Sequence, residues 1–395
     1  MSEWKKCRIG DLVTLKQGFA INAKSKHYIS KERTSLALLR IADMKSGTRE
    51  IFIREDIPQN FIARAEDIVY TRTGNVGLVF RNNYGVVHNN CFTVTPNEES
   101  ILSRDFLFYL LQSKDFYDKA NSLARGAAQP DLPHTLFNSI EIVCPSVPTQ
   151  HRIATILSRY DSLIENYQKQ IKLLEEAAQR LYKEWFVDLH FPGHENTKIV
   201  DGVPEGWEKK PVKTIIELQS GFAFKSSAFV GDGIYKIVTI KNVKDGAFDG
   251  ENVSKIKSVP EKMPKHCILK DGDILLSLTG NVGRVCIVNG KNYLLNQRVA
   301  KLKSEYKAYT YCLFRSRDMF IEVNNLANGA AQQNVSPIRI GEMKILIPEQ
   351  KILNDFESIA SNYLLGIVTL QFQIRLFTEA RDRMLPKLMS GEIEV

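Results

Sequence analysis

The sequence has no long apolar run and little cysteine. No stretch of its 395 residues stays apolar for the ~20 residues that a transmembrane helix needs, so no membrane association is expected. The first residues contain no apolar segment of the kind that a secretory signal has. The six cysteines are scattered without a Cys-x-x-Cys pair, which predicts reduced thiols in a cytoplasmic protein rather than disulfides or zinc ligands.

Catalytic motifs are also missing. There is no Gly-x-Gly-x-x-Gly, no P-loop and no Asn/Asp-Pro-Pro-aromatic motif of amino-methyltransferases, and the seven histidines show no metal-ligand spacing. Glu-x-Lys, the tail of a common nuclease motif, occurs at Glu3, Glu208, Glu305 and Glu342, as chance gives in a Lys-rich chain. We therefore predict no catalytic residue, no metal and no cofactor in this chain.

Glycine and proline are absent from residues 149–190, where apolar residues follow a seven-residue repeat. Alternating spacings of four and three place them on one face of a helix, as in a coiled-coil seam. The predicted seam residues are Ile153, Leu157, Tyr160, Ile164, Tyr167, Ile171 and Leu174. A helix of this length spans about 60 Å and cannot bury its seam alone, so a second helix must lie beside it.

The second helix is predicted from Glu349 onward. Its seam residues, displaced by 203 positions from those of the first helix, include Phe356, Tyr363, Ile367, Leu370, Ile374 and Phe377. Arg381 interrupts this seam, and Pro386 is expected to kink or end the helix before Leu388. Two core helices of separate domains would also give this pattern, but five heptads exceed the usual globular helix.

An internal repeat covers nearly the whole chain. Four motifs recur in order: Trp-x-Lys at Trp4 and Trp207, Gly-Phe-Ala at Gly18 and Gly221, Thr-Gly-Asn-Val-Gly at Thr73 and Thr279, and Gly-Ala-Ala-Gln at Gly126 and Gly329. Strands are predicted on both sides of the Thr-Gly-Asn-Val-Gly turn, helices over residues 104–118 and 309–324, and a closing strand before each long helix. Each block is thus α+β, and residues 192–206 are the linker.

The basic residues are concentrated in the two blocks. Residues 1–146 hold 19 Lys and Arg against 16 Asp and Glu, and residues 192–348 hold 23 against 16. Residues 147–191 hold 6 of each, and residues 349–395 hold 5 against 7. This distribution indicates that the blocks meet a polyanion and the helices meet protein.

Together these features resemble the specificity subunit of a type I restriction–modification system. Two Trp…Gly-Phe…Gly-Asn-Val-Gly…Gly-Ala-Ala-Gln blocks alternate with two long helices, and the chain ends in Met-Leu-Pro-Lys-Leu-Met-Ser-Gly-Glu-Ile. The first helix, with Gln-His-Arg-Ile-Ala at Gln150 and Leu-Tyr-Lys-Glu-Trp-Phe at Leu181, resembles the central conserved region of that family.

The resemblance implies an α+β chain with two tandem target-recognition domains and an antiparallel coiled coil. The implied domains are residues 1–147 and 192–348, and the long helices are residues 148–191 and 349–395. Each domain would read one half of an asymmetric site in double-stranded DNA. The helices would space the domains and bind two modification subunits, which carry S-adenosylmethionine and methylate adenine. Restriction subunits would join the complex, and this chain would catalyse nothing.

The residues that contact DNA are less clearly marked. Side chains that reach base edges are usually Arg, Lys, Asn or Gln. Arg72 and Asn75, and Asn281 and Arg284, flank the two glycine turns, where they either contact DNA or are solvated neighbours of a turn shaped by glycine. The shared Gly-Ala-Ala-Gln loop, which serves architecture or phosphate contact, contributes Arg125, Gln129, Asn328, Gln332 and Gln333. Bases should be read where the blocks differ, with candidates Lys16, Lys24, Lys26 and Arg40 against Lys225, Lys236, Lys241 and Lys244.

Other functions remain open at this stage. The chain could be the DNA-recognition subunit or scaffold of another multisubunit methyltransferase or nuclease assembly, an interaction scaffold that binds no DNA, or a cryptic nuclease. A DNA binder would lose affinity steeply as salt rises, whereas an enzyme would act alone with a divalent metal or S-adenosylmethionine.

Overall fold

The computed structural model describes residues 4–251, 253–327 and 333–395. The chain forms two compact units: Met1–Ser162 with Phe377–Val395, and Leu163–Leu376. Each unit contains one repeat and part of both long helices, and each mixes helices with strands. The predicted α+β class is confirmed.

The first repeat is built from short strands and helices. Its strands are β1 (Lys5–Arg8), β2 (Val13–Gln17), β3 (Ile29–Ser30), β4 (Leu36–Leu39), β5 (Phe52–Ile53), β6 (Ile62–Ala63), β7 (Ile68–Thr71), β8 (Val79–Phe80), β9 (Gly85–Val87), β10 (Cys91–Pro96) and β11 (Glu141–Cys144). Its helices are α1 (Ile41–Ser46), α2 (Arg104–Gln112), α3 (Lys114–Leu123) and α4 (His134–Asn138), and the long helix α5 (Val147–Tyr182) follows.

The second repeat begins after a linker that forms a small hairpin. Its strands, with those of the linker first, are β12 (Ile199–Val200), β13 (Val203–Pro204), β14 (Glu208–Pro211), β15 (Glu217–Ser220), β16 (Tyr235–Val238), β17 (Ser254–Ile256), β18 (Ile274–Ser277), β19 (Val285–Ile287), β20 (Tyr293–Leu295), β21 (Val299–Lys303) and β22 (Lys344–Ile347). Its helices are α6 (Lys307–Arg315), α7 (Arg317–Asn325) and α8 (Pro337–Gly341), and the long helix α9 (Gln350–Ser390) follows.

Two sheets are the same in both repeats, and a third differs. The first repeat has a four-stranded sheet in the order β2-β10-β7-β8, and the second has β15-β21-β18-β19. The closing strand pairs with the opening strand in each repeat, as β1-β11 and β14-β22. The remaining sheet has five strands in the first repeat, β3-β5-β4-β9-β6, and three in the second, β17-β16-β20. Isolated bridges at Val230 and Ile268 take the places of its two edge strands in the second repeat. The repeats thus share a frame and differ at the edges of this third sheet.

The helices predicted over residues 104–118 and 309–324 are each two helices. A serine interrupts both: Ser113 accepts a hydrogen bond from the N–H of Phe116, and Ser316 accepts one from the N–H of Met319. A serine that caps a helix N-terminus favours a new helix over continuation of the old one. The predicted single helices were therefore wrong.

Of the two effects predicted for Pro386, a kink or an end of the second long helix, the end was wrong, because α9 continues through it to Ser390. Proline removes one backbone hydrogen bond from a helix. Beyond it, Leu388 is fully buried in the cluster that holds Ile153 and Leu157. Burial of such a side chain contributes about 1.5–3 kcal/mol, which offsets much of the proline penalty.

In the first unit the beginning of α5 packs against the end of α9. The Tyr160 hydroxyl lies 3.3 Å from the sulfur of Met384, and its ring centroid lies 6.2 Å from that of Phe377. In the second unit the end of α5 packs against the beginning of α9, with the Trp185 and Phe356 rings 5.7 Å apart. Both contacts require antiparallel helices, and the predicted antiparallel coiled coil is confirmed.

The predicted seam residues are all at least partly covered. Those that are buried are Ile153, Leu157, Phe356 and Ile367. Those that are half-buried are Tyr160, Ile164, Tyr167, Ile171, Leu174, Tyr363, Leu370, Ile374 and Phe377.

Candidate nucleic-acid interface

The Thr-Gly-Asn-Val-Gly motif of the first repeat is the turn between β7 and β8. The Thr71 hydroxyl donates to the carbonyl of Asn75 and accepts from the N–H of Leu78 at 2.9 Å. Gly74 and Gly77 have φ values of 82° and 96°, which residues with a Cβ rarely adopt. The turn therefore depends on its two glycines.

The second repeat builds the same turn between β18 and β19. A serine, Ser277, takes the place of the threonine: its hydroxyl donates to the carbonyl of Asn281 and accepts from the N–H of Arg284 at 3.0 Å. Gly280 and Gly283 again have positive φ values, 72° and 86°. The strand–turn–strand predicted from the motif is confirmed in both repeats.

Each glycine turn is hydrogen-bonded to the residue that directly follows the Gly-Ala-Ala-Gln motif in the sequence. In the first repeat the N–H of Gly74 donates to the carbonyl of Pro130 at 2.8 Å. In the second repeat the N–H of Gly280 donates to the carbonyl of Gln333 at 2.8 Å. In the first repeat two motifs that are far apart in the sequence therefore lie side by side, and in the second repeat the glycine turn contacts the residue that follows the motif.

The Gly-Phe motif joins the same place through the connection that precedes β10 or β21. The carbonyl of Phe19 accepts from the N–H of Asn89 at 2.9 Å, and that of Phe222 accepts from the N–H of Gln297 at 3.0 Å. A Cβ on Gly18 would lie 2.2 Å from a backbone oxygen of this connection. Only glycine allows the two segments to approach so closely.

The connection is in turn bonded to the strand before the glycine turn. The carbonyl of Asn90 accepts from the N–H of Arg72 at 2.8 Å, and the carbonyl of Arg298 accepts from the N–H of Leu278 at 3.0 Å. Three shared motifs thus meet in the first repeat, and two of them meet the segment that follows the third in the second repeat. We term this arrangement the motif junction, formed by residues 17–19, 72–77, 88–90 and 125–132 in the first repeat and by residues 220–222, 278–283, 296–298 and 333–335 in the second.

Arg72 is held inside the first junction by other side chains. Its Nε and Nη2 donate to the Asp131 carboxylate at 3.0 and 2.6 Å, and its Nη1 donates to Gln17 at 2.9 Å. The guanidinium lowers the pKa of Asp131 below its ordinary value. Leu278, buried, stands at the corresponding place in the second repeat. Arg72 is therefore not simply a solvated neighbour of the turn, because its guanidinium is hydrogen-bonded to Asp131 and Gln17, and its contact with DNA stays a prediction.

Most of the other candidate residues are exposed. These are Lys16, Lys24, Lys26, Asn75, Arg125, Gln129, Lys225, Lys241, Lys244, Asn281 and Gln333. Arg40, Lys236 and Arg284 are half-buried. Asn328 and Gln332 lie outside the described residues.

Two of the half-buried candidates already have partners. Arg40 donates to both oxygens of Asp43, at 2.7 and 2.8 Å, and also to Glu50. The Lys236 ammonium lies 5.1 Å from the centroid of the Tyr293 ring. These contacts compete with DNA for the two cations, so the exposed candidates are better placed to reach a ligand.

Sequence reasoning overlooked one exposed cation in the junction. Arg298 is exposed, beside exposed Gln297, whereas the preceding Asn296 is buried. Aligning the sheets places Asn89 and Asn90 of the first repeat at the positions of Gln297 and Arg298. The number of positions that separates Asn90 from Arg298 differs from the number that separates the repeated motifs on either side. The equivalence of the two residues is therefore visible only from the strand pairing.

Neither a metal site nor a membrane helix is found in the part of the chain that the structure describes. No three His, Cys, Asp or Glu side chains there are grouped to hold a metal ion. No helix among those residues is long and apolar enough to cross a bilayer.

Comparison with known proteins assigns this fold and its duplicated junction to a family. The model of the type I restriction modification DNA specificity domain matches residues 1–176 and again residues 204–360. The chain belongs to the type I restriction–modification DNA specificity family. The two matched segments correspond to the two repeats, each with the beginning of its long helix, and the predicted resemblance is confirmed.

Relatives in this family cover most or all of the chain. The type I restriction enzyme MjaIX specificity subunit of Methanocaldococcus jannaschii is 28% identical over 79% of this chain and 75% of its own. The MjaVIII specificity subunit of the same organism is 27% identical over 100% of this chain and 93% of its own. The solved S subunit of the type I system from M. genitalium, 18% identical, covers 98% of this chain and 96% of its own with a TM-score of 0.59, which supports the fold.

Proposed function

We propose that this chain is the DNA-recognition subunit of a type I complex and that each repeat reads one half of a bipartite, asymmetric site. One observation carries the proposal: the same motif junction lies beside a third sheet that has five strands in one repeat, and three strands with only an isolated bridge at each edge in the other. A shared frame suits contacts to the regular DNA backbone, and different attached surfaces suit different bases.

The long helices set the separation of the half-sites and bind two modification subunits. Leu173 and Leu376 occupy equivalent places in the two helices, 203 positions apart, and are 63% and 46% exposed. Two equivalent apolar positions suit two copies of one subunit. Leu173→Glu or Leu376→Glu should lower the number of bound methyltransferase subunits from two to one, with Gln170→Glu as the exposed control.

The chain itself acts only by recognition. S-adenosylmethionine belongs to the modification subunits, and restriction subunits join the same complex. The proposed location is the cytoplasm, where reduced thiols persist, and all six cysteines are free. The isolated chain, supplied with duplex DNA and either S-adenosylmethionine or Mg²⁺, should neither methylate nor cut it.

A domain exchange tests the reading of half-sites. Replacing residues 1–147 with the matching block of a relative should change one half of the methylated site and leave the other half and the spacing intact. Long-read sequencing that detects methyladenine, in a host that carries the chain and its methyltransferase partner, gives both halves at once. A single exchange that altered both halves would refute the proposal.

Salt titration separates DNA recognition from a scaffold that binds no DNA. The affinity of the chain for duplex DNA should fall linearly on a log–log plot as salt increases, because bound counterions are released. An affinity that is independent of salt, or undetectable at low salt, would favour the scaffold.

A further inference from the structure

Helix α1 and its closing Gly47, residues 41–47, follow β4 in the first repeat, and we term them the first lysine turn; the second lysine turn is residues 240–246, which follow β16. The first is built around a buried carboxylate: Asp43 is 1% exposed and accepts two hydrogen bonds from the Arg40 guanidinium. The turn closes at Gly47, whose φ is 72° and whose N–H donates to the Asp43 carbonyl at 2.8 Å. Between them, Met44 is buried and Lys45 is exposed.

The second repeat contains an equivalent turn that the sequence does not reveal. Asn242, 3% exposed, accepts from the N–H of Thr239 and donates to the carbonyl of Asp249, both at 2.8 Å. The turn closes at Gly246, whose φ is 75°. The two turns follow equivalent strands, because β4 pairs in parallel with β9 and β16 pairs in parallel with β20.

Aligned on these strands, the turns share their buried and exposed positions. Residues 41–47 read Ile-Ala-Asp-Met-Lys-Ser-Gly, and residues 240–246 read Ile-Lys-Asn-Val-Lys-Asp-Gly. The offset is 199, not the 203 or 206 of the flanking motifs, which hides the match. Lys45 and Lys244 are the exposed lysines at the same place in each turn.

Both turns lie beside the motif junction. The carbonyl of Leu39, just before the first turn, accepts from the N–H of His88, and that of Val238 accepts from the N–H of Asn296. In the second repeat the Ile240 side chain lies 3.2 Å from the Cβ position of Gly280. Each lysine is therefore carried on a segment that is anchored to the shared frame.

We propose that Lys45 and Lys244 each contact a backbone phosphate of the DNA half-site that their repeat reads, so that Lys244 serves the DNA backbone rather than the base reading predicted for it from the sequence. The inference rests on the proposed function and adds residues to it. Repeats that read different bases can share only contacts that are independent of sequence, and phosphate contacts are of this kind. Lysine is a suitable point charge for phosphate, and the Nζ of Lys244 makes a long ion pair, 3.9 Å, with Asp249.

The test measures the salt dependence of DNA binding by the full chain. Lys45→Gln or Lys244→Gln should lower the slope of log affinity against log salt by about 0.9, and the double variant by about twice that. Affinity at ~0.1 M salt should fall about eightfold for each single change, equally for cognate and unrelated duplexes. Lys114→Gln and Lys351→Gln, at exposed sites in α3 and α9, control for the loss of one positive charge.

The outcomes are distinguishable. Salt slopes equal to those of the control variants would overturn the role of the two lysines while leaving the proposed function standing. A changed base in the methylated site of either variant would also overturn it, because a phosphate contact does not select bases. Failure of the unaltered chain to bind duplex DNA at low salt would instead refute the proposed function.

Discussion

Asp161 of α5 and Arg381 of α9 form an ion pair, with Oδ1 and Nη1 2.7 Å apart. The other carboxylate oxygen accepts from the hydroxyl of Tyr109 at 2.5 Å. The repeat places Leu364 and Ala178 at the equivalent positions in the second unit, and both are buried. The helix pair is therefore polar at this level in the first unit and apolar in the second. Arg381, which interrupts the predicted seam, therefore has a specific partner in Asp161.

Removing Arg381 alone should lower the stability of the protein more than replacing both Arg381 and Asp161 with apolar residues. Arg381→Ala leaves the half-buried carboxylate with only the more distant guanidinium of Arg81, whose Nη2 lies 3.7 Å away, so unfolding should require about 1–3 kcal/mol less. Adding Asp161→Leu, which reproduces the apolar pair of the second unit, should restore most of the loss. Thermal unfolding of the full chain measures both, with the exposed Arg383→Ala as the control. A double variant no more stable than Arg381→Ala would show that the pair does not act as a unit.

A charge placed in the seam between the two long helices should destabilise the protein. Ile171 packs against the core cluster of the second unit, and Ile164 is half-buried. Ile171→Glu or Ile164→Glu puts an unpaired charge between the helices, which costs several kcal/mol. We expect aggregation or a clear fall in unfolding temperature, whereas Lys172→Glu on the exposed face should have little effect. Unchanged stability of both glutamate variants would mean that these rows are not a buried interface.

The heptads and repeated motifs predict the frame of this molecule well. Their information is local: residues such as Leu157 and Gly77 each satisfy a spacing or a backbone conformation that the sequence displays directly. Partners that depend on the tertiary fold are not visible in that way. Arg72 is next to a glycine turn in sequence, but its partner Asp131 comes from a distant loop. The two lysine turns escape notice because insertions shift their offset relative to the motifs around them.

Asp43 should make the first repeat sensitive to acid. Burial alone would raise the pKa of this carboxyl, but the hydrogen bonds and charge of Arg40 outweigh that effect and lower it. A carboxyl with a lowered pKa stabilises the folded state above its unfolded value of about 3.9, and this contribution is lost as pH falls through the folded pKa. Asp43→Asn, which reproduces Asn242 of the second repeat, should therefore lose less stability than the unaltered chain between pH ~5 and ~3.

Asn242→Asp is the matched control for that experiment. It places a carboxylate against the carbonyl of Asp249, which now accepts from the Asn242 amide at 2.8 Å, and Thr239 offers no cation in the place of Arg40. This variant should be destabilised at neutral pH and recover as the carboxyl is protonated. Denaturant unfolding across the pH series measures both. Identical acid profiles for Asp43→Asn and the unaltered chain would contradict the role given to the Arg40 pair.

The repeat also predicts that residues 1–195 form a homodimer. The fragment has one repeat and one complete heptad helix, whose rows match those of α9 position by position, so a second copy can take the place of α9 in an isologous pair. When modification subunits are bound, this dimer should direct them to methylate a palindrome made of the first half-site and its inverted copy. From the sequence alone, the homodimer would be expected to pair more tightly than the two helices of the full chain, because the fragment lacks Arg381 and its charge in the seam. The structure opposes that expectation, because Ala178 would then face Asp161, which would lose its 2.7 Å ion pair with Arg381 and keep only the 3.7 Å contact with Arg81. Asp161→Leu should therefore strengthen the dimer, and sedimentation with methylation mapping measures both effects. A fragment that stays monomeric at micromolar concentration even with Asp161→Leu, or a dimer that directs methylation to an asymmetric site, would rule out the twofold pairing of the repeats.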